Sequence, residues 1–222
     1  RKILVDLPDK EARRKYLEMK IRKCKENEVT PGMLELLTGR SAGMSLANME
    51  NVIELALRMA AKKLSSLTDA ILEEAFEVSR HGEEKCWGAD YLERIARHEG
   101  GHAFLYWRSG NTPAYVTIVA RGNHGGYMEH SDNDTGAPLK TRDQLIDNIR
   151  TSLGGRAAEI VYYGEKNGIS SGAAGDLENA TRIARSMICN YGMDDVIGLA
   201  SLSQNEALNG PLAGKITEQI GR

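Results

Sequence analysis

The sequence predicts a mainly α-helical protein with a small β-sheet: a four-helix bundle followed by a helical domain that contains a β-hairpin. Three observations carry this. Apolar residues recur at helical spacing through most of the 222 residues. Capping residues stand at the start of the periodic stretches. Alternation of β-branched residues is confined to one stretch, Tyr115 to Arg121.

Asp9 caps a first helix carrying Ala12, Tyr16, Leu17, Ile21 and Cys24 on one side. Pro31 opens a short second helix with Leu34, Leu36 and Leu37, because its missing N–H is unused in a first turn. Ser45 caps a long third helix whose Met49, Val52, Ile53, Ala56, Leu57 and Ala60 face a core. Thr68 caps a fourth with Ile71, Leu72, Ala75, Phe76 and Val78. Four amphipathic helices with short connections make a bundle. The polar stretch His81 to Gly88 reads as a joint, giving domains 1–85 and 86–222.

Beyond the joint, Asp90 and Glu93 form a capping-box-like pair before Leu92, Ile95, Ala96, His102 and Leu105, and Gly110 supplies a stop. Val116, Thr117, Ile118 and Val119 read as a strand, Gly122 to Gly126 as a turn, and Tyr127 to Glu129 as its return. Thr141 and Gln144 form a capping box for a helix bearing Leu145, Ile149, Leu153, Ala157 and Ile160, stopped at Gly164. A Gly- and Ser-rich loop, Gly168 to Gly175, leads into a last helix with Leu177, Ala180, Ile183, Ala184, Met187 and Ile188, ended by Gly192.

Composition narrows function by exclusion. A formal net charge of -2 gives no electrostatic reason to bind nucleic acid or an anionic membrane. Cys24, Cys86 and Cys189 are far apart and form no CxxC pair, so neither a disulfide frame nor a zinc knuckle is expected. No apolar run approaches the roughly 18 residues that span a bilayer, and no signal peptide is present. The chain starts on Arg1 without an initiator methionine, which predicts a soluble fragment of a longer protein.

The densest chemistry is His98-Glu99-Gly100-Gly101-His102. Histidines four apart lie one above the other on a helix, so both imidazoles reach one ion. A glutamate next to the first can contact a metal-bound water without being a ligand, the layout of a zinc peptidase. Gly100 and Gly101 each cost a helix about 1 kcal/mol relative to alanine, which predicts close approach by a backbone, a substrate or a neighbouring helix. A catalytic zinc requires a third protein ligand. Arg108 stands where the long metzincin pattern needs histidine, which excludes that class. Glu159 and Asp176 both remain as candidates on spacing, although capping alone would also explain an aspartate at Asp176.

Taken in order, the motifs resemble the FtsH family of AAA+ zinc metalloproteases. His98 to His102 is followed by Val116-Thr117-Ile118 and Arg121-Gly122. Leu153-Gly154-Gly155-Arg156-Ala157-Ala158-Glu159, Ser171-Gly172-Ala173, Asp176-Leu177 with Ala180-Thr181, and Tyr191-Gly192-Met193 continue the match. Val5-Asp6-Leu7-Pro8-Asp9 and Gly43-Met44-Ser45, leading to Asn48 and Ala56, are similar to the helical lid that follows an AAA+ nucleotide-binding core.

The resemblance implies that Asp176 is the third zinc ligand and that Glu159 lies near the site without ligating. It implies a lid at 1–85 and a zinc metallopeptidase domain at 86–222, with Arg1 at an arginine-finger position. Zn2+ is the implied cofactor, and ATP belongs to an AAA+ core outside this chain. The implied activity is hydrolysis of unfolded, translocated polypeptide by a zinc-activated water with Glu99 as general base. The implied assembly is a homo-hexamer, membrane-anchored through N-terminal segments outside this chain, with these domains on the cytoplasmic or organelle-interior side. The family's last helices are expected beyond Arg222.

An extended peptide adding to a strand edge makes Val116, Thr117, Ile118 and Val119 the expected substrate contacts; a plain structural hairpin is the other reading. Departures from the family are Gly100 for alanine, Gly175 for asparagine, Ile160 for glutamate and Leu46 for glycine. The alternative function is an inactive assembly module in which the metal is a structural staple, with His124 or His130 completing the site. A lid with no metal at all would make the histidine motif accidental.

Overall fold

The computed structural model describes residues 6–122, 124–130, 139–166 and 168–221. The expectations resting on Arg1, on Val5 and on Asn123 of the turn lie outside them. The chain divides into two compact units, Arg1–Leu92 with Pro113–Gly136, and Glu93–Thr112 with Ala137–Arg222.

The first unit holds helices α1 (Lys10–Lys23), α2 (Pro31–Arg40), α3 (Leu46–Lys63) and α4 (Asp69–His81). Asp9, Thr30, Ser45 and Thr68 each accept a backbone N–H at the helix start, so the cap chemistry sets where each helix begins. Leu17, Leu37, Met49, Val52, Leu72 and Phe76 form its buried core. Leu57 departs from the expected stripe and is exposed. It sits about 100° around the helix from Ala56, and Ala56 and Ala60 carry the buried face instead.

Three two-stranded ladders accompany the helices. β1 (Asn27–Glu28) pairs in parallel with β2 (Leu67–Thr68). β3 (Glu84–Lys85) pairs antiparallel with β5 (Ala120–Arg121), and β4 (Pro113–Thr117) with β6 (Tyr127–His130). The expected strand Tyr115 to Arg121 is therefore two strands. The Thr117 hydroxyl accepts the Val119 N–H at 3.1 Å, and this local bond competes with the ladder. The released segment then pairs with Glu84 and Lys85, inside the stretch expected as an irregular joint.

The described residues of segment 113–136, downstream of the boundary expected near residue 85, group with the upstream helices. Ion pairs from Glu129 and Arg121 to the helices hold them there, and Arg40 is shared between Glu129 and Glu77. Arg40 bonds Glu77 at 2.5 Å and Glu129 at 2.6 Å, and Arg121 bonds Glu74 at 2.6 Å. Tyr127 also donates to Glu77. A cleft of about 330 Å³ in this unit is lined by Arg40, Arg80, His81, His124, Glu129 and His130, among others.

Helix α5 (Ala89–Arg108) contributes its residues from Glu93 onward to the second unit. It starts one residue before the expected cap, so Asp90 lies in the first turn, and the Gly88 carbonyl accepts from Tyr91 and Leu92. α6 (Arg142–Tyr163) opens on the expected Thr141–Gln144 capping box. α7 (Ala174–Cys189) follows a 3-10 turn at Ser171–Ala173. Two short helices, α8 (Gln204–Asn209) and α9 (Ala213–Ile220), were not expected; Ser203 with Glu206 forms a capping box whose signature stood in the sequence.

α6 follows the expected pattern in its first half, where Leu145 is buried with Ile183 and Met187 and Ile149 packs against them, and inverts it in the second. Leu153, Ala157 and Ile160 of its apolar stripe are exposed, whereas Thr151, Ser152, Gly154, Gly155 and Glu159 are buried. Its inner face is small and polar because it lies against the backbone of α5, as the site requires. Among the described residues no helix is long and apolar enough to cross a membrane.

Candidate metal centre

Helices α5 and α6 meet at glycines. A Cβ on Gly154 would lie 2.6 Å from the Gly101 carbonyl oxygen and 2.9 Å from His102 Cα; one on Gly101 would lie 2.8 Å from the Ala158 Cβ. Only hydrogens fit there, so the backbones cross in contact. The close approach expected of the glycine pair is thus by a neighbouring helix backbone, and only Gly101 takes part. A Cβ at Gly100 would meet nothing within 4 Å.

This crossing lays both histidines along α6. His102 is 8% exposed, and its Nδ1 faces the Thr151 carbonyl oxygen at 2.7 Å. A carbonyl only accepts, so that nitrogen carries the proton. His98 Nδ1 faces Glu159 Oε1 at 3.3 Å. Glu159 is 1% exposed and accepts from the Ser170 N–H at 2.9 Å and hydroxyl at 2.6 Å, with Arg156 at 3.4 Å. Burial alone would raise its pKa, but the Ser170 bonds, His98 and Arg156 hold it below the ordinary range, so it remains an acceptor. Both Nδ1 atoms are thereby committed as donors, and both Nε2 atoms turn inward as lone pairs.

Three such atoms converge. The Nε2 atoms are 3.1 Å apart, and Asp176 Oδ2 lies 3.1 Å from His98 Nε2 and 3.3 Å from His102 Nε2. Asp176 is no helix cap: α7 already begins at Ala174, with no side-chain cap bond. Glu159, the other carboxylate candidate, stands on the Nδ1 side of the His98 ring.

Three acceptors at such separations repel unless a cation or a proton lies among them. The metal-free chain responds with protons. Burial pushes the His102 pKa down, but Asp176 and the Thr151 carbonyl outweigh it and the pKa rises. Asp176, despite burial, is held well below the carboxylate range by His102 and His98. Glu99 is 9% exposed and its pKa is raised by burial, against the attraction of His102 and His98.

The spacing suits zinc. Ligand atoms about 2.0–2.1 Å from a tetrahedral ion lie roughly 3.3–3.4 Å apart, close to the observed triangle. Two imidazoles and one carboxylate are a zinc donor set with a fourth position left over. Among the described residues, His98, His102 and Asp176 form the group able to hold a metal. Val116, Thr117, Ile118 and Val119 belong to the first unit, where Val116 and Ile118 are exposed and Thr117 is buried. His124 and His130 also lie there, lining the cleft.

Residues the sequence reading missed are Thr151, which acts through its carbonyl and leaves no residue-type signal, and Ser170. Ser170 had a weak signal, since a serine ahead of a short turn often bonds nearby backbone, and its hydroxyl does accept from Gly172.

Two helices that bring a histidine pair and a remote carboxylate to one point, with a buried glutamate inside the pair, form the arrangement of a metallopeptidase domain. The chain belongs to peptidase family M41, whose model matches residues 89–220. It is similar to an ATP-dependent zinc metalloprotease FtsH of Ureaplasma parvum, 36% identical over 225 residues, covering 99% of this chain and 31% of the relative. It is 39% identical over 210 residues to ATP-dependent zinc metalloprotease FtsH 2 of Sphaerobacter thermophilus, covering 90% and 31%. The FtsH of Akkermansia muciniphila is 33% identical over 213 residues, covering 93% and 25%. The chain thus spans 25–31% of the length of these relatives.

Proposed function

We propose that this chain is the lid and peptidase portion of an ATP-dependent zinc endopeptidase, with the functional division at 1–85 and 86–222. The observation that carries the reading is the convergence of His98 Nε2, His102 Nε2 and Asp176 Oδ2 while both Nδ1 atoms are engaged elsewhere. In this reading His98, His102 and Asp176 hold zinc. Bound there, zinc supplies a Lewis acid that acidifies water and polarises the scissile carbonyl.

The protein's own residues do the rest. Thr151 and Glu159 fix the tautomers and angles of the two rings. Glu99, its basicity raised by burial, takes the proton of the attacking water and hands it to the leaving amine. No side chain need form a covalent intermediate. Val116, Thr117, Ile118 and Val119 guide an extended substrate by backbone pairing, which tolerates many sequences. The exposure of Val116 and Ile118 supports this.

ATP consumed by a core outside this chain follows the names of the relatives; unfolded protein substrates, a homo-hexameric ring and membrane anchorage through other segments follow the resemblance to the FtsH family. A closed ring also gives a sequence-tolerant protease a way to spare folded neighbours. The structural-staple alternative is disfavoured by donor count. A structural zinc takes four protein ligands, and the group among the described residues offers three.

The test separates base from ligand. Glu99→Gln retains zinc and loses roughly 10²–10⁴-fold in peptide cleavage, whereas Asp176→Asn weakens zinc itself. Cleavage by Glu99→Gln at the parent rate refutes the mechanism.

A further inference from the structure

Most of the residues around the centre contribute an atom to it. Gly155 contributes the lack of one. A Cβ at this position would lie 2.6 Å from His102 Nε2 and closer still to Nε2 and Cε1 of His98. Those are the metal-facing nitrogens of both imidazoles. The neighbouring glycines meet backbone and a methyl group instead: Gly154 faces the Gly101 carbonyl and His102 Cα, and Gly101 faces Gly154 and Ala158. The three positions therefore differ in kind. Gly101 and Gly154 let two helices touch, whereas Gly155 leaves a hydrogen-sized floor beneath the histidine rings.

We infer that Gly155 is a positioning residue of the metal centre, one whose missing side chain lets His98 and His102 aim their Nε2 atoms at a common ion. This rests on the zinc reading above. Neither ring is free to yield in place. His102 is tied at Nδ1 to the Thr151 carbonyl and His98 to Glu159, so each pivots only by giving up that bond. Any methyl at 155 overlaps the edge of His98 and crowds the lone pair of His102. The chain then keeps either the inward aim of the rings or the side chain, and not both. In a metal-free Gly155→Ala chain the rings can turn aside at the expense of those bonds; with a metal bound they cannot.

The experiment uses the 222-residue chain and four variants: Gly155→Ala, Gly100→Ala, His98→Ala, and Gly155→Ala combined with His98→Ala. Zinc per chain is measured after dialysis, zinc affinity by competition with a chromophoric chelator, and melting with and without EDTA. The parent and Gly100→Ala are expected to hold one zinc and to melt higher with it, since a Cβ at 100 enters open space. Gly155→Ala is expected to lose affinity by more than the roughly 10–100-fold that removal of an outer partner costs, and to melt alike with and without zinc.

If the new methyl also lowers the metal-free melting temperature, its effect should shrink in the His98→Ala background, because the overlapped ring is gone. Zinc affinity of Gly155→Ala within tenfold of the parent overturns the inference. So does a metal-free loss of stability that is the same in both backgrounds, since the conflict would then be with helix packing. A parent chain that takes up no zinc defeats the reading of the centre itself, a result plainly distinct from a parent that binds and a variant that does not.

Discussion

Replacing Glu159 by glutamine changes one atom and removes no proposed ligand, yet the surroundings of that carboxylate predict a measurable loss of zinc. Glu159 is 1% exposed and faces only donors: the Ser170 N–H and hydroxyl, Arg156 and His98 Nδ1. A glutamine amide has one acceptor and two donors. With its oxygen toward Ser170 N–H and Arg156, its NH2 meets His98 Nδ1–H. With its oxygen toward His98, its NH2 meets the Ser170 N–H and the guanidinium. The cheaper escape is for His98 to move its proton to Nε2, where it blocks the metal lone pair. Losing an outer partner of this kind costs roughly 10–100-fold in metal affinity, or about 1.4–2.8 kcal/mol. Competition titration against a chromophoric chelator reads this directly, and at saturating zinc the variant still binds one ion. An unchanged affinity refutes the tautomer argument. Complete loss of zinc in Glu159→Gln, with full binding in Asp176→Asn, refutes the ligand assignment instead.

Three further outcomes are expected. Gly100→Ala fills open space in an exposed helical position, so it should stabilise by about 0.5–1 kcal/mol, a rise of roughly 1–4 °C in Tm for a chain of this size; calorimetry showing a fall would contradict the described backbone. Glu77→Ala leaves the buried Arg40 paired with Glu129 alone and removes the acceptor of Tyr127, which should cost about 1–3 kcal/mol, read from urea denaturation.

The pH dependence follows from the raised His102 and lowered Asp176. The His102 contribution is complete below its unfolded pKa of about 6.5 and is lost as pH rises through its folded value. The Asp176 contribution is present above about 3.9 and is lost as pH falls through its folded value. The metal-free chain therefore draws most from this pair between about pH 4 and 6.5. Zinc needs both imidazoles neutral, so the melting increment given by zinc should shrink as pH falls from 8 to 5. A pH-independent increment would count against these ligands.

The starts of the first four helices were readable in the sequence, because Asp9, Ser45 and Thr68 bond the helix starts they precede, whereas Ala12 and Leu57 of the expected stripes are exposed. The histidine pair was equally plain, since its geometry is local to one helix. Hydrophobic periodicity misled at α6. Leu145 and Ile149 face the core as the stripe predicts, but Leu153, Ala157 and Ile160 mark the outward face of the second half, whose inner face is glycine, threonine, serine and glutamate. Periodicity reports where apolar surface is buried, and it is blind to two backbones in contact. The strand broken at Thr117 failed for a related reason: a side-chain hydrogen bond two residues long overrode a β-branched run. Spacing left Asp176 level with Glu159, because which carboxylate faces the Nε2 side of the rings depends on how α6 and α7 pack.

That packing makes the centre conditional. Asp176 is 78 residues from His98, whereas the two histidines are four apart on a single helix. A nascent or partly unfolded chain thus presents a two-nitrogen clip as soon as α5 forms, and acquires the oxygen only when α7 has docked. In the proposed zinc reading, tight metal uptake would report on completed folding, and the ion would close a loop of 78 residues much as a covalent cross-link does. In that reading the third ligand is the last to arrive.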